Sequence, residues 1–222
     1  MSVTEAKPVA TARVKSAVGE PVIALKRRTI DSILIAFGAV LTTAFVVAGA
    51  LLAWGSNFSS DYVNDELSSQ NITFPPAAAL REQGRTDLLK YAGEPVNTGR
   101  EAEAYASFIN GHLQNVANGA TYADLGVPES AAKAAVTKAT AGGADEATVK
   151  SLQNKADAIT GQRNTLFKGE TLRGLLLSAF AWATVAKIAG YAATGAFIAG
   201  AMMLALVLLG LRHHHKVLVR QS

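Results

Sequence analysis

The sequence predicts an all-α membrane protein: a two-helix transmembrane hairpin with an extracytoplasmic helical domain in the intervening loop. Three observations lead there. The apolar residues of this 222-residue chain are gathered into two blocks instead of being spread along amphipathic elements. Each block contains an uncharged run long enough to cross a bilayer. Lys26, Arg27 and Arg28 abut the first block, Arg212, Lys216 and Arg220 follow the second, and the outer flank of the first has no Lys or Arg until Arg81. By the positive-inside rule both ends lie in the cytoplasm, and the protein belongs in the inner (plasma) membrane as a multi-pass protein.

Residues 1–29 read as a cytoplasmic tail, rich in Ala, Val, Thr and Lys without a sustained period. Residues 30–54 form the first span. From Ile33 to Trp54 there are 22 residues without a charged side chain, and about 20 apolar residues cross a hydrocarbon core of about 30 Å. The run is longer than the apolar region of an export signal, usually about 7–15 residues, so an uncleaved signal anchor is expected. Trp54 marks the outer interface, where an indole buries its ring and keeps its N–H wet.

Residues 55–174 form the outer helical domain. Asp61 to Leu67 reads as a short helix, and Asn71-Ile72-Thr73-Phe74-Pro75-Pro76 as a rigid turn, because its prolines lack backbone donors and hold Phe74 extended. Ala77 to Tyr91 is helix-prone with a break available at Gly84, and turn signals follow at Gly93-Glu94-Pro95 and Asn97-Thr98-Gly99. The clearest element runs from Arg100 to Val116. There Ala102, Tyr105, Phe108, Ile109, Leu113 and Val116 form one apolar face, which must be buried. Tyr105, Phe108 and Ile109, with Tyr122, are the expected loop core. Pro128 suits the first turn of a helix reaching Thr140, and Asp145 to Gln162 is a further helix with its acids early. The chain has no cysteine, which removes disulfides, thiol catalysis and cysteine-ligated zinc together.

The second block, Leu175 to Leu211, is 37 residues long. As a helix it extends about 55 Å, some 25 Å beyond a membrane core. Its one charge is Lys187, and Ile188 to Leu211 is the expected span. If Lys187 snorkels to the outer headgroups, Leu175 to Ala186 projects as an apolar rod. The rod needs cover from the Tyr105/Phe108 face of its own loop or from a neighbouring protein. The other placement slides the helix inward and pairs Lys187 with a partner's acid inside the bilayer. The candidate partner-binding residues are Leu176, Phe180, Trp182, Lys187, Gly190 and Gly195. Glycines at Gly38, Gly49, Gly190, Gly195 and Gly200 allow close helix approach, within the hairpin or with a foreign subunit. Residues 212–222 form a basic cytoplasmic tail.

The net charge of +4 comes from the tails, since Gly55 to Arg173 carries 11 Lys or Arg against 14 Asp or Glu. This is a topology signal, not a nucleic-acid footprint, and the tails favour membrane lipids with anionic headgroups. His213, His214 and His215 point in different directions on a helix and suit a basic terminus better than a metal. His112 has no second ligand at metal spacing, and Glu101, Glu103, Asp145 and Glu146 are helix-start charges. No phosphate-binding loop, dinucleotide fingerprint, nucleophile elbow or zinc-protease motif is present. No catalytic residue, cofactor or metal is assigned, and the chain is read as not an enzyme.

Trp54-Gly55, Gln70-Asn71-Ile72-Thr73, Ala104-Tyr105-Ala106 with Ile109-Asn110 and His112, Thr121-Tyr122-Ala123-Asp124-Leu125, and Leu172-Arg173 resemble, in order and spacing, a family of actinobacterial two-span membrane proteins of unknown function. The resemblance covers most of residues 51–185. Members often bear the name aromatic ring-opening dioxygenase, but a ring-cleaving iron site needs clustered ligands such as two His and a carboxylate, and the outer loop holds one His. The Ala-rich stretch from Pro128 to about Lys155 departs from the shorter family loop. The small-residue helix faces and the apolar rod from Leu175 to Ala186 suggest a non-catalytic accessory or scaffold subunit with other integral membrane subunits as partners. The resemblance implies as hosts a respiratory cytochrome supercomplex or a lipid transporter. The alternative is an extracytoplasmic lipid- or small-molecule-binding or sensing module with a cavity beside Tyr105, Phe108 and Trp182.

Overall fold

The computed structural model describes the backbone of residues 27–219 and the side chains of residues 29–213. Residues 1–26 of the tail read over 1–29, and the side chains of His214, His215, Lys216 and Arg220, lie outside them. The described chain is all-helical, with one isolated β-bridge, Thr73 to Pro95.

Two helices, α1 (Arg27–Ser69, 43 residues) and α5 (Glu146–Val219, 74 residues), are long and apolar enough to cross a membrane. They pack antiparallel: Gly210 of α5 faces Ile35, Val207 faces Gly38, Phe197 faces Gly49, and Gly190 faces Ser56. On α1 the residues withdrawn from the surface, flanked by Leu41, Ala53 and Gly55, include Ile35, Gly38, Thr42, Phe45, Gly49, Leu52, Ser56, Ser59 and Val63. Their alternating spacing of three and four is the 3.5-residue repeat of a coiled-coil seam, which keeps one stripe turned toward the partner helix. The glycines set the separation. A Cβ at Gly38 would fall 2.7 Å from Val207 Cγ2, and one at Gly190 would fall 2.9 Å from Ser56 Oγ.

Both helices run further than their sequence pattern indicates. Asp61 to Leu67, read as a separate short helix, is the end of α1, which continues through Gly55 to Ser69. The reason is packing: Ser56, Ser59, Val63 and Leu67 carry the seam outward against α5, and this outweighs the roughly 1 kcal/mol that an interior glycine costs. Likewise, the helix expected over Asp145 to Gln162 and the long apolar helix are one continuous α5, with no proline anywhere between Glu146 and Val219.

The intervening segment supplies α2 (Ala77–Glu82), a 3-10 turn (Thr86–Tyr91), α3 (Gly99–Val116) and α4 (Gly126–Ala141). The available break at Gly84 is used, with φ +68° closing the turn between α2 and the 3-10 turn. Residues 72–76 lie beside 93–96: Phe74 N–H donates to the Glu94 carbonyl and Val96 N–H to the Ile72 carbonyl, both at 2.9 Å. Helix α3 opens with a capping box in which the Thr98 hydroxyl accepts from Glu101 N–H and the Glu101 carboxylate accepts from Thr98 N–H at 2.9 Å.

The core joins α1 (Val63, Leu67), the paired segments 72–76 and 93–96 (Phe74, Val96), α2 (Leu80), the 3-10 turn (Leu88), α3 (Ala102, Ala106, Phe108) and Leu176 of α5. Phe74 stacks on Tyr91 at 5.1 Å and meets the edge of Tyr105 at 5.2 Å. Phe108 belongs to this core, and Tyr105 and Ile109 pack half-buried against it. Tyr122 does not: it is 40 % exposed and lies against Phe167 and beneath Arg163 of α5. Its apolar neighbour Leu125 instead joins Leu113 and Leu166 in a smaller cluster.

Candidate functional site

The apolar excess of α5 divides into a covered face and a bare one. On the covered face Leu176 is buried, and Leu177, Ala179 and Ala183 pack against the core. Gly99, at the start of α3, sits directly on Ala183 and beside the Phe180 backbone, leaving Phe180 half-buried. The segment between α1 and α5 thus covers part of the rod. The bare face carries Leu172, Leu175, Trp182 and Val185, all more than half exposed, with Trp182 at 59 %.

Helix α1 extends this bare surface. Trp54, Phe58 and Tyr62, four residues apart, stack in an exposed ladder with ring centroids 5.7 and 6.4 Å apart. Beside the ladder, a groove of about 360 Å³ lies between α1 and α5. Tyr62, Leu67, Leu172, Leu175 and Trp182 line it, with Glu66 as the single charged wall residue. The Ser59 hydroxyl, donating to the Trp182 carbonyl at 3.4 Å, joins the helices below it.

No protein-family model, curated protein or solved structure matches the chain. The surface is therefore judged on its own chemistry. Of the residues expected to bind a partner, Trp182 lies on the groove, Leu176 forms its floor while also serving the core, and Phe180 lies under α3. Gly190 is taken up by the hairpin through Ser56, whereas Gly195 has nothing within 4 Å. Lys187 is exposed, with Nζ 6.0 Å from the Tyr191 ring centroid. Tyr105 and Phe108, expected beside Trp182 in a cavity, sit in the core and do not line the groove. Leu175, the start of the apolar rod expected from the sequence, lines the groove, while sequence reasoning missed Tyr62, Glu66 and Leu172. The signal for the first was present, since aromatic residues recur every fourth position from Trp54 once α1 is taken past Gly55.

Among the described residues no group of three or more His, Asp or Glu is arranged to hold a metal ion. His112 Nδ1 lies 3.2 Å from the Phe108 carbonyl, and the ring packs edge-on against Phe108 at 4.5 Å.

Glu129 is the one buried charged residue among those described. Lys133 and Arg163 each approach its carboxylate to 2.6 Å, and the Thr160 hydroxyl donates to it at 2.8 Å. Arg163 also lies over the Tyr122 ring, 4.1 Å from its centroid. This cluster fastens α4 to α5. The donors, Lys133 first, then Arg163 and Thr160, pull the Glu129 carboxyl down to about 2. A lowered folded-state pKa stabilises above the ordinary carboxyl value and is lost as the pH falls through the folded value. Helix α4 should therefore stay docked at pH 5 and release progressively from about 4.5 toward about 2. Amide exchange over residues 126–141 reads this directly. Glu129→Gln should raise exchange there at neutral pH and flatten its acid dependence, while residues 99–113 are unchanged. An α4 whose exchange ignores both changes would show that the cluster does not hold it.

Proposed function

We propose that the chain is a non-catalytic accessory subunit of a larger bacterial envelope complex. In this reading α1 and α5 cross the plasma membrane as a hairpin with both ends inside, the outer domain stands on the far side, and the bare face around Trp182 docks laterally on other integral membrane subunits. The observation that carries it is the exposed apolar surface formed by Phe58, Tyr62, Leu172, Leu175 and Trp182. It lies beyond the uncharged runs that suit the bilayer, Ile33 to Trp54 and Ile188 to Leu211, and a contiguous apolar patch in water marks an interaction site. The resemblance to actinobacterial two-span proteins points to a respiratory cytochrome supercomplex or a lipid transporter as host.

Mild-detergent purification of the tagged protein with quantitative mass spectrometry tests this. Other membrane subunits should be recovered at fixed ratio, and Trp182→Ala should weaken their retention roughly thirtyfold, the effect of losing a central aromatic anchor worth about 2 kcal/mol. Recovery of the protein alone would end the accessory reading.

The groove volume of about 360 Å³ supports a second reading, an extracytoplasmic module for a lipid or small molecule, because such sites span about 300–1,000 Å³. Under it, one lipid or metabolite would co-purify stoichiometrically and be lost on Trp182→Ala, with no protein partner.

A further inference from the structure

We propose that the groove beside Trp182 receives a single apolar helix from a second membrane protein, and that this helix presents a lysine or arginine to Glu66. This rests on the lateral-docking reading and adds the chemistry of the partner.

Two features of the surface specify the occupant. The first is continuity. The exposed apolar residues Ile33, Phe37, Val40, Val47, Leu51, Trp54, Phe58 and Tyr62 recur at three, four or seven residues and so share one side of α1. This stripe runs from the inner end of the uncharged run toward the groove, which α1 and α5 both line mainly with apolar residues. An occupant that follows it is a helix rooted in the same bilayer. A soluble peptide or a lone acyl chain would meet only one end of it.

The second feature is charge. Glu66 lines the groove, and Asp61 and Asp65 share its two turns of α1. All three are exposed, and none forms an ion pair with any described residue. Arg173, the cation of α5 next to the groove-lining Leu172, is already held 2.8 Å from Glu170. In water these carboxylates need no partner. Once a helix covers the groove, Glu66 loses water at an apolar wall, and only a cation on the occupant offsets that loss. An acidic occupant would be repelled by all three. At 1.5 Å per residue Glu66 stands about 18 Å beyond Trp54 along α1, which fixes the height of the matching cation.

The test places a photo-crosslinking amino acid at Leu175 in the full-length protein in its native membranes, with a second copy of the experiment at Val127 on α4 as control. Adducts are identified by peptide mass spectrometry. The expected result is an adduct from Leu175 alone, to an apolar helical peptide of another membrane protein that carries Lys or Arg. Its yield should fall at least about tenfold in Glu66→Lys and return when that cation is changed to Glu. Because Glu66 is exposed, unchanged amide exchange in α3 will show that the variant is folded. An adduct with lipid only, with another copy of this chain, or with a peptide lacking a cation would overturn the proposal, as would a yield indifferent to Glu66→Lys. If membrane subunits co-purify but Leu175 gives no such adduct, this inference fails while the accessory reading stands. If no subunit co-purifies and no protein adduct forms, both fall.

Discussion

Phe74→Ala should destabilise the helical domain between α1 and α5 by about 3–5 kcal/mol, the range for truncating a buried aromatic ring. Phe74 is 2 % exposed and is the meeting point of three otherwise separate pieces. It stacks on Tyr91 at the end of the 3-10 turn, meets Tyr105 of α3 edge-on, and its own N–H donates to Glu94 across the 72–76/93–96 pairing. Aromatic pairs add about 0.5–1.5 kcal/mol beyond area burial, so removal of the ring also costs its neighbours their orientation. The loss should be local. Amide protection over residues 72–116 should collapse, while residues 35–56 of the α1–α5 seam, which touch none of these rings, keep theirs. A cost under about 1 kcal/mol, or a uniform loss along the chain, would mean that Phe74 is not the centre of a separable core.

Gly99→Ala should cost about 2–3 kcal/mol, although alanine is ordinarily the better helix former by about 1 kcal/mol. The added Cβ would fall on the Ala183 side chain and 3.2 Å from the Phe180 Cα, on a rigid stretch of α5 that cannot yield. Helix α3 would have to lift from α5, opening the covered face of the apolar rod. Two companion variants isolate the contact. Gly161→Ala, within α5 with nothing within 4 Å, should be neutral or stabilising by up to about 1 kcal/mol. Ala183→Gly, combined with Gly99→Ala, should recover much of the loss, giving a coupling energy within the 0.5–3 kcal/mol seen for contacting pairs. Additive effects in the double variant would contradict the close approach.

What could be read in advance follows from how local each cause is. The two apolar runs, the α3 face from Ala102 to Val116 and the break at Gly84 are written in adjacent residues, and each is present. The length of α1 was hidden because Trp54-Gly55-Ser56-Asn57 has the composition of a helix exit, while the forces that continue the helix come from α5, more than a hundred residues away, as in the Ser59 to Trp182 hydrogen bond. Four of the ten core residues were hidden for a related reason. Phe74, Leu80, Leu88 and Val96 lie in or beside short elements bounded by prolines and glycines, too short to show an apolar period, so nothing local marks them as buried. Glu129 resembled any first-turn acid, because Arg163 and Thr160, which set its role, are 34 and 31 residues away. The groove depends on both hidden features, since Tyr62 and Glu66 belong to the unanticipated part of α1.

The unbroken course of α5 makes the protein a gauge. No proline or reversal interrupts it from Glu146 to Val219, so each residue adds about 1.5 Å of height and 100° of turn. Trp182 accordingly stands about 14 Å beyond Tyr191 and Glu146 about 68 Å beyond it, at angular settings that the helix cannot relax. Under the proposed lateral docking, a protein that meets Trp182 must present its own surface at that altitude and bearing, so residue count alone would screen which neighbours fit.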